Sequence, residues 1–297
     1  MSENSITRRD FIKGTACAGL AATVGLPLEL SLAEEPAFKT RVVLARDSGV
    51  LSADGNINSE IITDMLDKAV ATLCGEDDPD KAWNKFVSPE DIVGIKSNVW
   101  DYLPTPSEVE QVIKNRVMDV GVVESNIAID DRGALGNKTF KKATALINVR
   151  PLKTHHWAGI GGCIKNYIMF VPKPDEYHGN SCADLGALWK LPHIKGKTRL
   201  NILVMLTPLF HGIGPHHFDR EYLWDYKGIV VGTDPVAVDS IGLQILEAKR
   251  LEDFGEYRPM TPPAHHVRFA DTRHGIGTSD PEKIELIKLG WQDGALI

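Results

Sequence analysis

Between Ala145 and Phe170 the chain runs from an apolar stretch through Lys153, Thr154, His155 and His156. It then crosses glycines at 159, 161 and 162 and reaches Lys165 and Asn166. Cations, imidazoles and glycine-exposed amides where a buried strand would surface suit an anionic or metal-bound ligand. Lys153 and Lys165 are expected to hold an anion through charge and hydrogen bonds. Thr154, Gly161, Gly162 and Asn166 would bind substrate beside them, the glycines by letting it approach the backbone. His155, close to Lys153, is the expected acid or base. A surface loop with solvated lysines is the plainer reading. Six polar or cationic residues between two strongly apolar runs favour a site. It is neither a Walker phosphate loop nor a dinucleotide fingerprint, because both glycine patterns are missing.

Other polar residues fall where they could join this one. Lys96 and Asn98 close the apolar run Asp91–Asn98, and ligands of open α/β sheets bind along the C-terminal ends of the strands. Asp239 stands among Val236, Val238 and Ile241; a carboxylate buried there needs a partner, which Lys153 or Lys165 would supply. Asp234, ahead of Pro235, is expected to be structural, as a helix cap. Seven of the ten histidines are His155-His156, His211, His216-His217 and His265-His266. Imidazoles from separate loops can converge on a metal ion. His155, His211 and His216 are the candidate ligands, completed by a carboxylate such as Asp219. Adjacent histidines on a strand point to opposite faces, so at most one of each pair joins a given site.

The elements that must position these residues are short β-branched runs alternating with amphipathic helices. Strands are expected at Arg41–Arg46, Asp91–Asn98, Asn126–Asp130, Ala143–Val149, Arg199–Leu206 and Gly228–Gly232. Their continuous apolar character suits strands covered on both faces. Ser59–Leu73 carries one apolar stripe. Capping boxes at Thr105-Pro106-Ser107-Glu108 and Ser279-Asp280-Pro281-Glu282, and the pair Asp234-Pro235, each predict a helix start. Residues 171–198 and 207–227 read as long irregular insertions, the kind of loop that binds or covers a ligand. The fold class expected is α/β: a mainly parallel open sheet with helices on both faces, forming a single domain over 34–297.

Residues 1–33 are set apart from that domain. Thr7-Arg8-Arg9-Asp10-Phe11-Ile12-Lys13, a weakly apolar run to Leu28, and Ser31-Leu32-Ala33 follow the pattern of a twin-arginine signal peptide with its cleavage site. The expected partner is the twin-arginine export machinery, and the expected location is periplasmic or secreted. No stretch is long and apolar enough for a stable membrane span. With a formal charge of −7 and no basic tract, nucleic acid is not expected as a partner. After cleavage Cys74, Cys163 and Cys182 remain. Cys163 and Cys182 could pair, and three cysteines exclude a self-contained four-cysteine iron–sulfur cluster.

The segments Asp91–Asn98, Leu146–His155, Gly162–Asn166 and Thr233–Asp239 together resemble the DUF362 family, a domain of unknown function, over roughly residues 40–290. The resemblance implies one α/β domain whose polar motifs gather in one place, and it implies no agreed activity. Some relatives carry a ferredoxin-like module, whose cysteines this chain lacks. Three functions follow as expectations. The first is an exported enzyme binding a small anionic ligand, with His155, Lys153, Lys165 and Asp239 catalytic. The second is a metal-binding or redox-accessory protein that is loaded in the cytoplasm and serves a redox or metalloenzyme partner. The third is a binding protein with an exposed apolar patch around Trp157, Tyr167 and Phe170.

Overall fold

A computed structural model describes residues 39–212 and 218–297 of the protein. The segment 1–33 expected to be a signal peptide, His216 and His217 lie outside the described residues. The strands are β1 (Thr40–Arg46), β2 (Val93–Lys96), β3 (Ile127–Asp130), β4 (Ala145–His155), β5 (Gly159–Gly161), β6 (Thr198–Leu209), β7 (Gly228–Gly232) and β8 (Ile284–Gly290). They form one eight-stranded sheet in the order β3-β2-β4-β6-β7-β1-β8, with β5 paired to β4. The pairs β3/β2, β2/β4, β4/β6 and β1/β8 are parallel, and β6/β7, β7/β1 and β4/β5 are antiparallel.

Alternation along β4 sends Leu146 and Leu152 to one face, and Ala145, Ile147 and Val149 to the other. The first face packs against α5 (Cys163–Asn166), α6 (Pro235–Phe254) and α7 (His265–Thr272). The second packs against α1 (Ser59–Cys74), α2 (Pro79–Trp83) and α3 (Ser107–Asp119). The expected α/β sheet covered on both faces is therefore present. A further short helix, α4 (Lys138–Lys142), places Phe140 over Gly94 and Leu146.

Several local expectations need correction. β4 runs on to His155, through Pro151, where the apolar pattern suggested an end at Val149. β2 has already ended opposite Asn148, so Pro151 lies beyond the point where that neighbour would need a backbone N–H. Ser279-Asp280-Pro281-Glu282 starts only one 3₁₀ turn, Pro281–Lys283, and then β8. Parallel pairing along the whole of β1 wins over the capping box. Thr105 does not cap α3, which starts after Pro106 without a side-chain cap. It closes the 98–105 loop: its N–H donates to the Asn98 carbonyl at 2.8 Å and its hydroxyl accepts from the Asn98 N–H at 3.2 Å. The 171–198 stretch is not a detached lid either, since Leu185, Leu188, Trp189 and Ile194 are buried in the core.

Candidate functional site

Strand register builds a polar seam across the sheet. Asp130, Lys96, Asn148, Asn201 and Gly232 occupy one row across β3, β2, β4, β6 and β7. Lys96, Asn148 and Asn201 are fully buried. Asn148 Nδ2 donates to Asn201 Oδ1 and to the Cys163 carbonyl, both at 3.0 Å, and its Oδ1 accepts from Asn166 Nδ2 at 2.8 Å. Asn166 Nδ2 also donates to the carbonyls of Lys96 (3.0 Å) and Val149 (3.2 Å). Each of these groups would cost about 1–3 kcal/mol if buried without a partner. The network therefore fixes α5 against the strands.

Arg150 lies two residues beyond Asn148 on the same face of β4, so its guanidinium enters the space above the seam. It is 5 % exposed. Among the described residues nothing accepts a hydrogen bond from this guanidinium, and Nε is buried without a partner. Burial holds Arg150 below its usual range, with Asp131 and Asp239 pulling the other way. Its charge is felt by Lys96, Asp131, Lys153, His155, Cys163, Lys165, Asp239 and His266, which makes it the centre of the cluster. Sequence reasoning did not select it. The available signal was an arginine inside an otherwise apolar strand, two residues from a buried asparagine.

The lysines differ in how their charge is met. Lys96 is ion-paired with Asp131 and donates to the Ser97 carbonyl at 2.8 Å, and burial still pushes it down to about 8. Lys153 donates to Asn98 Oδ1 (2.8 Å) and to the Leu103 carbonyl (3.3 Å), and its Nζ sits 4.2 Å from the centre of the Trp100 ring. Burial, with Arg150 adding to it, holds it well below the usual lysine range. Lys165, 3 % exposed, has one hydrogen-bond partner among the described residues, Cys182 Sγ at 3.8 Å. Burial lowers it to about 8 against the pull of Cys182, and Arg150 lowers it further. Cys182 is delivered by Asn180, Ser181 and Cys182 itself, three successive residues with φ of 48°, 55° and 60°. Left-handed backbone at non-glycine residues costs about 1–2 kcal/mol each. Strain of that kind collects at functional sites.

His155, His178 and His266 lie close enough to Lys165 to be lowered by its charge. His155 Nδ1 accepts from the Trp157 N–H at 3.2 Å, which leaves the proton of the neutral ring on Nε2. Burial first, and then Lys165 and Arg150, keep His155 neutral far below its ordinary range. Trp157, 45 % exposed, lies against His156 and His178 with ring centres 4.1 Å from each. His178 is lowered to about 4 by burial and Lys165, and the fully buried His266 to about 3 by the same two causes.

Asp239 is the main correction to the expected roles. Its carboxylate does not orient a lysine. It accepts from the N–H groups of Cys163 (2.6 Å) and Ile164 (2.9 Å) and so anchors the start of α5, which carries Lys165. Burial raises it to about 7 despite these bonds. Gly161 and Gly162 leave room for protein, not ligand. A Cβ at Gly161 would stand 2.8 Å from Arg150 Nη2, and one at Gly162 would collide with the Asp239 carboxylate. Lys96, Asn98, Lys153, His155, Gly161, Gly162, Lys165, Asn166 and Asp239 thus gather at the C-terminal ends of β2 and β4, while Thr154 turns instead to His211. Asp131, Asn148, Arg150 and Asn201 are added to them. Asp234 lies elsewhere and caps α6, accepting from the N–H groups of Val236 (2.7 Å) and Ala237 (3.1 Å).

The suggested metal set does not assemble among the described residues. His211 Nδ1 is 3.0 Å from Arg250 Nη1, and its carbonyl accepts from Thr154 Oγ1 at 3.2 Å. No group of three or more His, Cys, Asp or Glu among the described residues could hold a metal ion. Cys163 and Cys182 are free thiols, so they do not form a bridge. The expected apolar patch is also missing, because Tyr167 and Phe170 are buried. A cavity of about 340 Å³ opens beside the 154–159 turn, lined by Thr154, Gly159, His211, Arg250 and Met260. No helix among the described residues is long and apolar enough to cross a membrane.

No curated protein matches the chain, and neither does any solved structure. Residues 107–244, which hold Asp131, Asn148, Arg150, Lys165 and Asp239, match the family model described as Domain of unknown function (DUF362).

Proposed function

We propose that this DUF362-like chain is an exported protein that binds a small oxyanion at Arg150 and acts on it by proton transfer. One observation carries the reading: the buried Arg150, whose Nε has no hydrogen-bond partner among the described residues. Isolated charges are not left in a protein interior without compensation. Arginine cannot escape by losing its proton, and Asp131 and Asp239 offset its charge without bonding to it, which leaves the donors of the guanidinium for an anion. A carboxylate or phosphate fits the planar fork of donors.

Around that anion the chain offers an acid–base group and a rigid frame. Lys165, lowered to about 8, is the group that can exchange a proton near neutral pH, and the neutral His155 offers its Nε2 proton as a hydrogen-bond donor. Asp239 and the asparagine seam hold α5, and through it Lys165, in place. Lys153, engaged with Asn98 and Trp100, is a support. The Arg8-Arg9 signal supports export of the folded protein.

The test is urea denaturation of the full chain in rising sodium phosphate, against sodium chloride of equal ionic strength. The expected result is a saturable rise in the midpoint with phosphate alone, because a ligand of the native state stabilises by RT ln(1 + [L]/Kd). Identical midpoints in the two salts would remove the anion site.

A further inference from the structure

Burial poses one problem to Arg150, Lys153 and Lys165, and the three residues answer it differently. None of them contacts a carboxylate among the described residues. Arg150 keeps its charge and needs an anion. Lys153, held well below the usual lysine range, is tied to two oxygen acceptors and lies against an aromatic face, so its amine is already engaged. Lys165 has a thiol at 3.8 Å, a cationic neighbour in Arg150, and nothing that stabilises an ammonium strongly. A desolvated lysine beside another cation is the arrangement that yields a free amine, and a free amine is a nucleophile.

We infer that Lys165 forms a Schiff base with a carbonyl compound whose own carboxylate or phosphate rests on Arg150. The inference depends on the anion site proposed above and narrows its ligand to 2-oxo acids, anionic aldehydes and phosphorylated carbonyl compounds. In the addition the Lys165 Nζ lone pair forms a bond to the carbonyl carbon, and the carbonyl oxygen takes up a proton. The carbinolamine then loses its hydroxyl and one N–H proton as water, leaving the iminium. One amine, one carbonyl and one proton become one iminium and one water, so no oxidant or reductant is needed. Burial is the larger cause of the lowered Lys165 and persists when a ligand anion offsets Arg150. The cationic iminium then lies beside the anion that Arg150 holds. The strained 180–182 turn keeps a thiol, and not a carboxylate, against the amine.

The full chain treated with glyoxylate and then borohydride would carry a carboxymethyl group wherever an imine had formed, and peptide mass spectrometry locates it. The expected result is labelling of Lys165 ahead of the exposed Lys68, Lys81 and Lys173. Saturating inorganic phosphate should lower that labelling about tenfold, the scale of one charged hydrogen bond. Propionaldehyde, which has no anionic group, should label Lys165 weakly. Arg150→Gln should remove the preference for glyoxylate; the phosphate competition on the unaltered protein gives the same answer if that variant misfolds. An unlabelled Lys165 in a protein that phosphate stabilises overturns this inference and leaves the anion site standing. An unlabelled Lys165 together with no phosphate stabilisation overturns both. Equal labelling by the two aldehydes, insensitive to phosphate, overturns it as well, because the amine would then be unguided.

Discussion

At the scale of single residues, Asp239 shows how a buried group can be recognised correctly and given the wrong work. Its place among Val236, Val238 and Ile241 marked a buried carboxylate that needs a partner, and the nearby lysines were the obvious ones. Two backbone amides take that role, and no side-chain pattern reports an amide. Burial raises Asp239 to about 7, above the ordinary carboxylate value near 3.9 in an unfolded chain. Between these values the folded state binds the extra proton, so this group lowers stability as pH rises from about 4 to about 7. Asp239→Asn has no such proton. The expected result is that wild-type stability minus that of Asp239→Asn, from urea midpoints across that range, falls steadily with pH. A flat difference would place Asp239 in a solvated or fully compensated setting. Arg150 was missed for a related reason, since nothing in the sequence distinguishes a guanidinium with partners from one without.

At the scale of elements, the runs of Val, Ile and Leu located six strands, because a strand covered on both faces needs an unbroken apolar run. Boundaries failed where polar residues are buried. β4 continues through Arg150, Pro151 and Lys153, residues that would ordinarily end a strand, because the site itself is built on that extension. β8 was hidden behind a proline-bearing cap whose helix lasts one turn. The turn from β5 into α5 gives two contrasting expectations. Gly162→Ala drives a methyl into the Asp239 carboxylate that anchors α5, and should cost about 1–3 kcal/mol in urea denaturation. Gly161→Ala meets only the flexible end of Arg150, so stability should change little while phosphate affinity falls severalfold. Equal effects of the two substitutions on both measurements would mean that Arg150 is not free to respond.

At the scale of the whole molecule, a chain of formal charge −7 encloses a cationic interior site. Composition gave no expectation of a nucleic-acid partner and could not reveal the buried cluster of cations, because an average hides the separation of charge between inside and outside. The motifs that resemble DUF362 were legible as sequence, and β2, β4, α5 and α6 do bring Lys96, Arg150, Lys165 and Asp239 to one region. The proposed export is tested at this scale as well. Replacing Arg8 and Arg9 together by lysine should keep the protein in the cytoplasmic fraction, as read by cell fractionation with the folded domain intact. Unchanged export would show that another signal directs it.

The central claim is that Arg150 waits for an anion, and calorimetric titration of the unaltered protein and Arg150→Gln with inorganic phosphate tests it most directly. We expect saturable, one-site binding to the unaltered protein. The variant should bind at least about tenfold more weakly, the loss of one or more charged hydrogen bonds. Equal affinities, or no binding heat with either protein, would contradict the account.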